Sequence, residues 1–402
     1  MQKLTSTPLE TAKKLSLELI DSKPLSEWLP ISDCLGMVIA KDTTCRKNLP
    51  SFNNSALDGY AIKYSDIGKK LKISKTIFAG DSKQNKLKTN ECYKIMTGAK
   101  IPDDADTIVA FEDTQKVDDN FVQIPNNVKK GNAFRKKGEE VSIGEILIIE
   151  GTLLNSSDIA YLASQGISQI EVYKKISIAI FSTGNELKEP WESANEDEIY
   201  NVNSSALIAL FAEFGFRADY CGVIPDNLEQ SKAYFKKMKK YDVLVTTGGI
   251  SMGEADFVED ALMANGLKSL FHGVNIKPGR PTMIGKMDNT IVASMPGNPL
   301  AAYINAFLFL IPLLKKIQGT TSYEHKTIKA KMSDNLKIKP NRANLVLGHF
   351  ENGIFKTTLN NRYGSGMITP IVLSNALFVS KDEQNIIQKD EEIDIILFKG
   401  SF

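Results

Sequence analysis

This chain of 402 residues has little of what marks several functional classes. Cysteine is scarce. Cys34, Cys45, Cys92 and Cys221 are scattered, with no C-x-x-C pair and no histidine nearby, which argues against a zinc site and for reduced thiols in a cytoplasmic protein. His272, His325 and His349 show no ligand spacing and are assigned no role. An excess of charge is also missing: 49 basic against 48 acidic residues leave a formal charge of +1. Such a balance argues against nucleic acid or an anionic membrane surface as the main partner. The start, MQKLTSTPLE, lacks the apolar core of a signal peptide, and the longest apolar stretch, Leu300 to Leu314, is too short and interrupted to span a bilayer. The length exceeds one core, since domains of about 100 to 200 residues give two to four units.

What is present is organised around YDVLVTTGGISMGEAD, Tyr241 to Asp256. Asp242 to Thr246 is a β-branched apolar run, the pattern of a strand buried on both faces. Gly248 and Gly249 break it, and Ser251, Gly253, Glu254 and Asp256 lead into the amphipathic run after Phe257. Strand, glycine turn and helix aim backbone N–H groups and a helix N-terminus at an anion. The same pattern also fits an ordinary βα corner, so other strand ends must decide.

Along the chain, Thr7, Pro8 and Glu10 predict a capped N-terminal helix, and Asn155, Asp158 and Gly166 bound a second one. These suggest a helical linking region, 1–27 with 147–174, bracketing an inserted β-rich domain over 28–146 whose short apolar runs are dense in turn residues. From Lys175 strands and helices alternate, which predicts a doubly wound parallel α/β domain over 175–320. Residues 321–402 return to short strands and end in the alternating EEIDIILF, a small β barrel or sandwich. The expected fold is therefore multidomain, α/β plus β.

In an open parallel sheet the C-terminal strand ends share one edge, where ligands bind. Four ends carry polar chemistry: Thr183 to Glu186, Pro225-Asp226, Thr247 to Ser251, and Pro296-Gly297-Asn298. Lys277 and Arg280 in NIKPGRP add full positive charges, unless that loop is only a solvated basic turn. Glu186, Asp226, Glu254 and Asp256 would repel an anion unless a cation bridges them, and Mg²⁺ does so with one or two carboxylates plus phosphate oxygens. A Mg²⁺-dependent site for an oxyanion or phosphoester follows, with Glu254 equally able to serve as a first-turn acid.

STGNEL, TTGGISMGEAD, IKPGRP and MPGNP resemble the domain shared by molybdenum-cofactor proteins of the MoaB/MogA type. SFNNSALDGYAIK, IMTGAKIPDDAD, RKKGEEVSIGEIL, GSGMI and SNA narrow the resemblance to the MoeA type, the molybdopterin molybdenumtransferases, related to the E domain of gephyrin. It covers nearly the whole chain in order. The resemblance implies insertion of molybdate into adenylyl-molybdopterin with release of AMP and participation of Mg²⁺. It also implies a homodimer whose sites are shared between subunits.

By the same resemblance the catalytic positions are Asp58, Thr97, Glu186, Asp226 and Asp256; among these carboxylates Asp256, with Glu186 or Asp226, is expected to hold the metal. Glu140, Gly248, Gly249, Ser251, Gly253, Lys277, Arg280, Pro296, Gly297 and Asn298 fall to substrate binding. Asp58-Gly59 is also a hairpin-turn signal, and Arg342 and Ser365 face either substrate or solvent. Asn53 stands where the family commonly has aspartate, Leu57 replaces a methionine, Glu140 replaces an aspartate, and Gly273 occupies the place of a second lysine. The missing cation shifts phosphate binding toward Lys277 and Arg280. Two other readings share these motifs: adenylylation of molybdopterin, and a gephyrin-like scaffold without turnover.

Overall fold

The computed structural model describes residues 6–81, 86–224, 227–249 and 257–398. The chain falls into a larger unit, Met1–Ala40, Gly151–Asn155 and Gln169–Phe402, and a smaller one, Lys41–Glu150 with Ser156–Ser168.

The larger unit begins with α1 (Leu9–Glu18), which buries Leu9, Ala12 and Ser16, one face of a helix. Thr7 does not cap it as its sequence predicts. Pro8 holds the cap position without a side-chain bond, because Thr7 is drawn into extended pairing: its N–H donates to Gly273 O and its carbonyl accepts from Asn275 N. Strand β1 (Ser26–Pro30) pairs antiparallel with Gln169–Tyr173.

The smaller unit is a six-stranded sheet made of β2 (Gly59–Ile62), β3 (Lys70–Ile77), β4 (Glu91–Ile95), β5 (Thr107–Ala110), β6 (Gln115–Lys116) and β7 (Phe121–Gln123), in the order β5-β2-β4-β3-β7-β6. Its two faces alternate along β2: Ala61 packs with Ile77, Ile95 and Ile108, and Tyr60 and Ile62 pack with Leu71, Val109 and Val122. Helix α2 (Ser156–Ser164) belongs to this unit, whereas α1 belongs to the other.

The larger unit continues with β8 (Ile178–Ser182), α3 (Val202–Glu213), β9 (Ala218–Val223), α4 (Leu228–Met238), β10 (Val243–Thr247), α5 (Phe257–Ala264), β11 (Leu267–His272), β12 (Met283–Met287) and β13 (Thr290–Met295). The strand order is β9-β8-β10-β13-β12-β11. On β10, Val243 and Val245 face the core that holds α3 and the long C-terminal helix, and Leu244 faces the core of α4 and α5. Helices on both faces explain why the strand reads as a continuous apolar run.

The sequence predicts a parallel sheet, and the sheet is instead mixed. β8, β9, β10 and β13 are parallel, and β12 and β11 are antiparallel. Asp288, with φ of 55°, and Asn289 join β12 to β13 in a tight hairpin, and a parallel link would need a crossover of about a dozen residues or more. The reversal has a use. Because Met283 pairs with Ser294 near the end of β13, the NIKPGRP segment that leads into β12 arrives at the edge where β8, β10 and β13 finish.

After β13 comes one helical stretch, Pro299–Ile317: α6 (Pro299–Asn305), a π turn over Ala306–Leu310 and α7 (Ile311–Ile317). Pro312 lacks an N–H and its ring crowds the preceding turn, which accounts for the widened segment. The stretch is long and apolar enough to cross a membrane by length and composition, yet 78% of it is buried in the core. A closed barrel follows, formed by β14 (Thr327–Met332), β15 (Ala343–Glu351), β16 (Ile354–Thr357), β17 (Ala376–Val379) and β18 (Glu392–Leu397), in which β15 pairs with both β16 and β17. Of the barrel or sandwich expected from sequence, the barrel is what forms.

His325 stacks on Phe307 at 4.2 Å, and its Nε2 lies 2.8 Å from Phe307 O. Burial pushes its pKa from 6.5 down to about 4. A folded pKa below the unfolded one means that the unfolded chain takes up the proton first. Stability is therefore full above pH 6.5 and falls as pH drops toward 4, by roughly 2 kcal/mol once solvent screening at its partly exposed edge is discounted. His325→Gln keeps a donor for the carbonyl, and denaturant melts of this variant are expected to show a flatter slope between pH 6.5 and 4.

Candidate functional site

Three parallel strands end beside one another, and backbone bonds tie their ends together. Thr183 N and Oγ1, just past β8, donate to Thr247 O at 3.1 and 3.2 Å, and Gly248 N, just past β10, donates to Met295 O at 3.1 Å. Gly248 has φ of +81°, and a Cβ there would lie 2.6 Å from Thr183 Oγ1. Only glycine lets these ends meet so closely.

The result is a cleft of ≈ 1000 Å³. Glu186, Gly248, Gly249, Pro296, Gly297 and Asn298 all line it, so six of the residues predicted from sequence come together. Glu186 is exposed, and its carboxylate folds over Gly184, where an added Cβ would stand 2.6 Å from Oε2. Its own backbone is fixed by Ile199 N donating to Glu186 O at 3.0 Å, so the base of this exposed side chain is held. Asn298 stands at the N-cap of α6. Its Nδ2 donates to Ser365 Oγ at 2.9 Å, and Leu300 N donates to Ser365 O at 3.1 Å, which joins the strand end to the barrel loop.

A second cleft of ≈ 750 Å³ shares Pro281, Pro296 and Asn298 with the first. Lys277, Lys337 and Lys339 line it together with Ser365, and among the described residues no carboxylate does. Lys277 ends the short strand Ile276–Lys277, which pairs with Ala343–Asn344 at the start of β15. Lys339 is held by Asn344 Nδ2 donating to its carbonyl at 2.9 Å. Arg280 is exposed in the same loop as Lys277 and lies outside both linings. Gly273, where a second lysine is expected, is buried, with its N–H on Thr282 O. The cations of this cleft come from the barrel as well as from the NIKPGRP loop.

In the smaller unit, Asp58 and Thr97 meet although they stand 39 positions apart. β2 and β4 are antiparallel with Gly59 opposite Ile95, so the residue before β2 lies beside the residues after β4. Thr97 N and Oγ1 donate to Asp58 Oδ1 at 2.7 and 2.8 Å. The backbone bond first, then the hydroxyl bond, hold the carboxyl below the usual range, so Asp58 stays ionised. The Asp-Gly hairpin signal is thus a strand entry. Glu140 is exposed, with its N–H on Leu49 O, and Asn53 Oδ1 accepts from Lys137 N at 2.8 Å.

Asp226, Ser251, Gly253, Glu254 and Asp256 lie outside the described residues. Among the described residues, no three His, Cys, Asp or Glu side chains gather to hold a metal. Sequence reasoning missed Asn203, whose Nδ2 donates to Gly297 O at 2.8 Å, and Lys337 and Lys339. The helix start at Asn201 was the only local signal for the first.

Residues 7–166 match the family described as "MoeA N-terminal region (domain I and II)", 179–316 "Probable molybdopterin binding domain", and 329–398 "MoeA C-terminal region (domain IV)". The chain is similar to the molybdopterin molybdenumtransferase of Haemophilus influenzae, 30% identical over 96% of this chain and 97% of that protein. It is also similar to gephyrin of Dictyostelium discoideum, 28% identical over 97% of this chain and 62% of that protein. A crystal structure of a molybdopterin biosynthesis MoeA protein from Pyrococcus horikoshii superposes with a TM-score of 0.85 at 28% identity, covering 98% of this chain and all of that one.

Proposed function

The chain belongs to the MoeA family of molybdenum-cofactor biosynthesis, and we propose that it inserts molybdenum from molybdate into adenylylated molybdopterin, with release of AMP. The observation that carries this reading is the pair of adjoining clefts. One presents the Glu186 carboxylate beside glycine turns, the other three lysines, and they share the wall of Pro281, Pro296 and Asn298. A substrate with a phosphoanhydride and a tetrahedral oxyanion needs both kinds of surface.

The residues divide the work. The Gly248-Gly249 turn and the strand end at Pro296 to Asn298 admit phosphate oxygens close to the backbone. Ile199, Tyr200 and Ile368 line the first cleft and offer apolar surface to the flat rings of the nucleotide and the pterin. Lys277, Lys337 and Lys339 hold the oxyanion. Glu186, Asp226 and Asp256 are all carboxylates, the oxygen donors that would suit Mg²⁺, and of the three Glu186 is described, exposed and in the cleft. When bound, the ion would neutralise charge developing on the phosphate oxygens. Attack by water on the adenylyl phosphorus breaks its bond to the bridging oxygen: the water oxygen stays on the released AMP and molybdopterin leaves with its terminal phosphate, whereas attack by a molybdate oxygen gives adenylyl-molybdate, which water then cleaves to AMP and molybdate.

In this reading the protein works as a homodimer, and Asp58 of the partner subunit and Thr97 of the partner subunit orient the attacking oxygen. Exposed Leu25, Trp28 and Leu35 in the larger unit support a self-association surface. Four free cysteines support a cytoplasmic setting.

The test is molybdate-dependent AMP release from purified adenylyl-molybdopterin with Mg²⁺. AMP formed only with molybdate present is the expected result. If the protein instead makes adenylyl-molybdopterin from molybdopterin and Mg-ATP, it catalyses the preceding adenylylation. If neither substrate turns over, the scaffold reading replaces both.

A further inference from the structure

Asn305 sits in the middle of the Pro299–Ile317 helix with no exposed surface. A buried amide in an otherwise apolar helix calls for a reason. Its Nδ2 donates to Gly279 O at 2.8 Å and to Thr282 Oγ1 at 2.7 Å, while Thr282 Oγ1 donates to Gly279 O at 2.9 Å. The three groups form a closed node on the loop that carries Lys277. Gly279 lies flat on the amide: its φ is +94°, and an added Cβ would stand 2.2 Å from Asn305 Nδ2. No other residue type fits between the loop and the helix.

The node does not serve stability well. Among the described residues Asn305 Oδ1 is buried without a partner, and an unsatisfied buried acceptor is a cost that a fold of this kind usually avoids. Removing the amide would leave nothing orphaned, because Gly279 O and Thr282 Oγ1 keep each other. The helix also widens into its π turn directly after Asn305, so this side chain is presented where the backbone is least regular. A group that is unfavourable for the core yet clamps a functional loop has its use at that loop.

We propose that Asn305 is a positioning residue for anion binding: its buried amide fixes Gly279, and through it the Lys277 side of the lysine-lined cleft. This rests on reading that cleft as an oxyanion site. Asn305 touches no substrate, and its effect passes through Lys277.

The test uses the full-length protein and molybdate alone as probe, with binding followed by calorimetry for Asn305→Leu, Asn305→Ala, Lys277→Ala and the Asn305→Leu/Lys277→Ala pair. Asn305→Leu is expected to weaken molybdate binding about tenfold, the scale of one clamping hydrogen bond. It should raise the KM for molybdate in parallel, leave kcat within about twofold, and keep the melting temperature close to that of the wild type. The double variant should bind no more weakly than Lys277→Ala alone, since both changes act on one group. If Lys277→Ala weakens binding and neither Asn305 variant does, Asn305 is only structural and the inference fails. It fails equally if the two effects multiply, or if both Asn305 variants unfold. Unchanged binding in Lys277→Ala removes the anion reading of the cleft, and this inference with it.

Discussion

Replacing Glu186 by Gln is expected to lower AMP release on the order of a hundredfold, the scale on which one electrostatic stabiliser acts in a reacting site. Its position is the reason. Glu186 follows β8 at the parallel strand edge, its backbone is pinned by Ile199 N, and its carboxylate lines the larger cleft. Being exposed, it has little to do with packing, so the melting temperature should hardly move. Gln keeps shape and hydrogen bonding but loses the charge that a hard cation needs. The Mg²⁺ concentration for half-maximal activity should therefore rise while the binding of molybdate alone, through the lysine-lined cleft, stays as in the wild type. A normal rate at normal Mg²⁺ would remove Glu186 from the metal set.

Much of the cleft was legible in the chain because each of its walls is a short local motif. A β-branched run that stops at glycines, as at Val245 to Gly249, announces a buried strand and a close backbone approach. Three such stops in an alternating α/β pattern must share an edge. The antiparallel β12 was less legible, although its Asp288-Asn289 turn between two apolar runs carried the signal. The overlooked residues depend on distance in sequence. Lys337 and Lys339 reach the second cleft only because the short strand at Ile276-Lys277 pairs with the start of β15, a join across 67 positions. Nothing local to LKIKPNR distinguishes it from a solvated turn. Asn305 hides in the same way, since its partners Gly279 and Thr282 lie more than twenty residues back. Asp58 and Thr97 illustrate the middle case: Asp58-Gly59 reads as a turn by itself, and only the β2–β4 register pairs Asp58 with Thr97.

Asp58→Ala is the other change expected to matter most, with AMP release falling by about two orders of magnitude, within the range for a positioned acid or base. Both bonds from Thr97 fall on Oδ1, so Oδ2 carries neither of them and is left to meet a ligand. An ionised carboxylate fixed in this way can hold a proton-bearing oxygen in line, and alanine cannot. Because Thr97 donors hold the carboxyl below its usual range, the wild-type acid limb of the rate profile should not follow Asp58 until well below the ordinary carboxylate pKa. Thr97→Val removes the hydroxyl donor and keeps the backbone one, so any acid limb due to Asp58 should move upward, and an unmoved limb assigns it to another group. Asp58 belongs to the smaller unit and Glu186 to the larger, which allows the homodimer reading to be tested by mixing. If Asp58 of one chain serves the cleft of the other, co-expressed Asp58→Ala and Glu186→Gln subunits form dimers in which one site carries both defects and the other carries none. Random pairing then returns about a quarter of wild-type activity, because half of the dimers are mixed and each has one intact site. If each chain uses its own Asp58, every site in every dimer carries one defect, and the mixture stays as inactive as its parents.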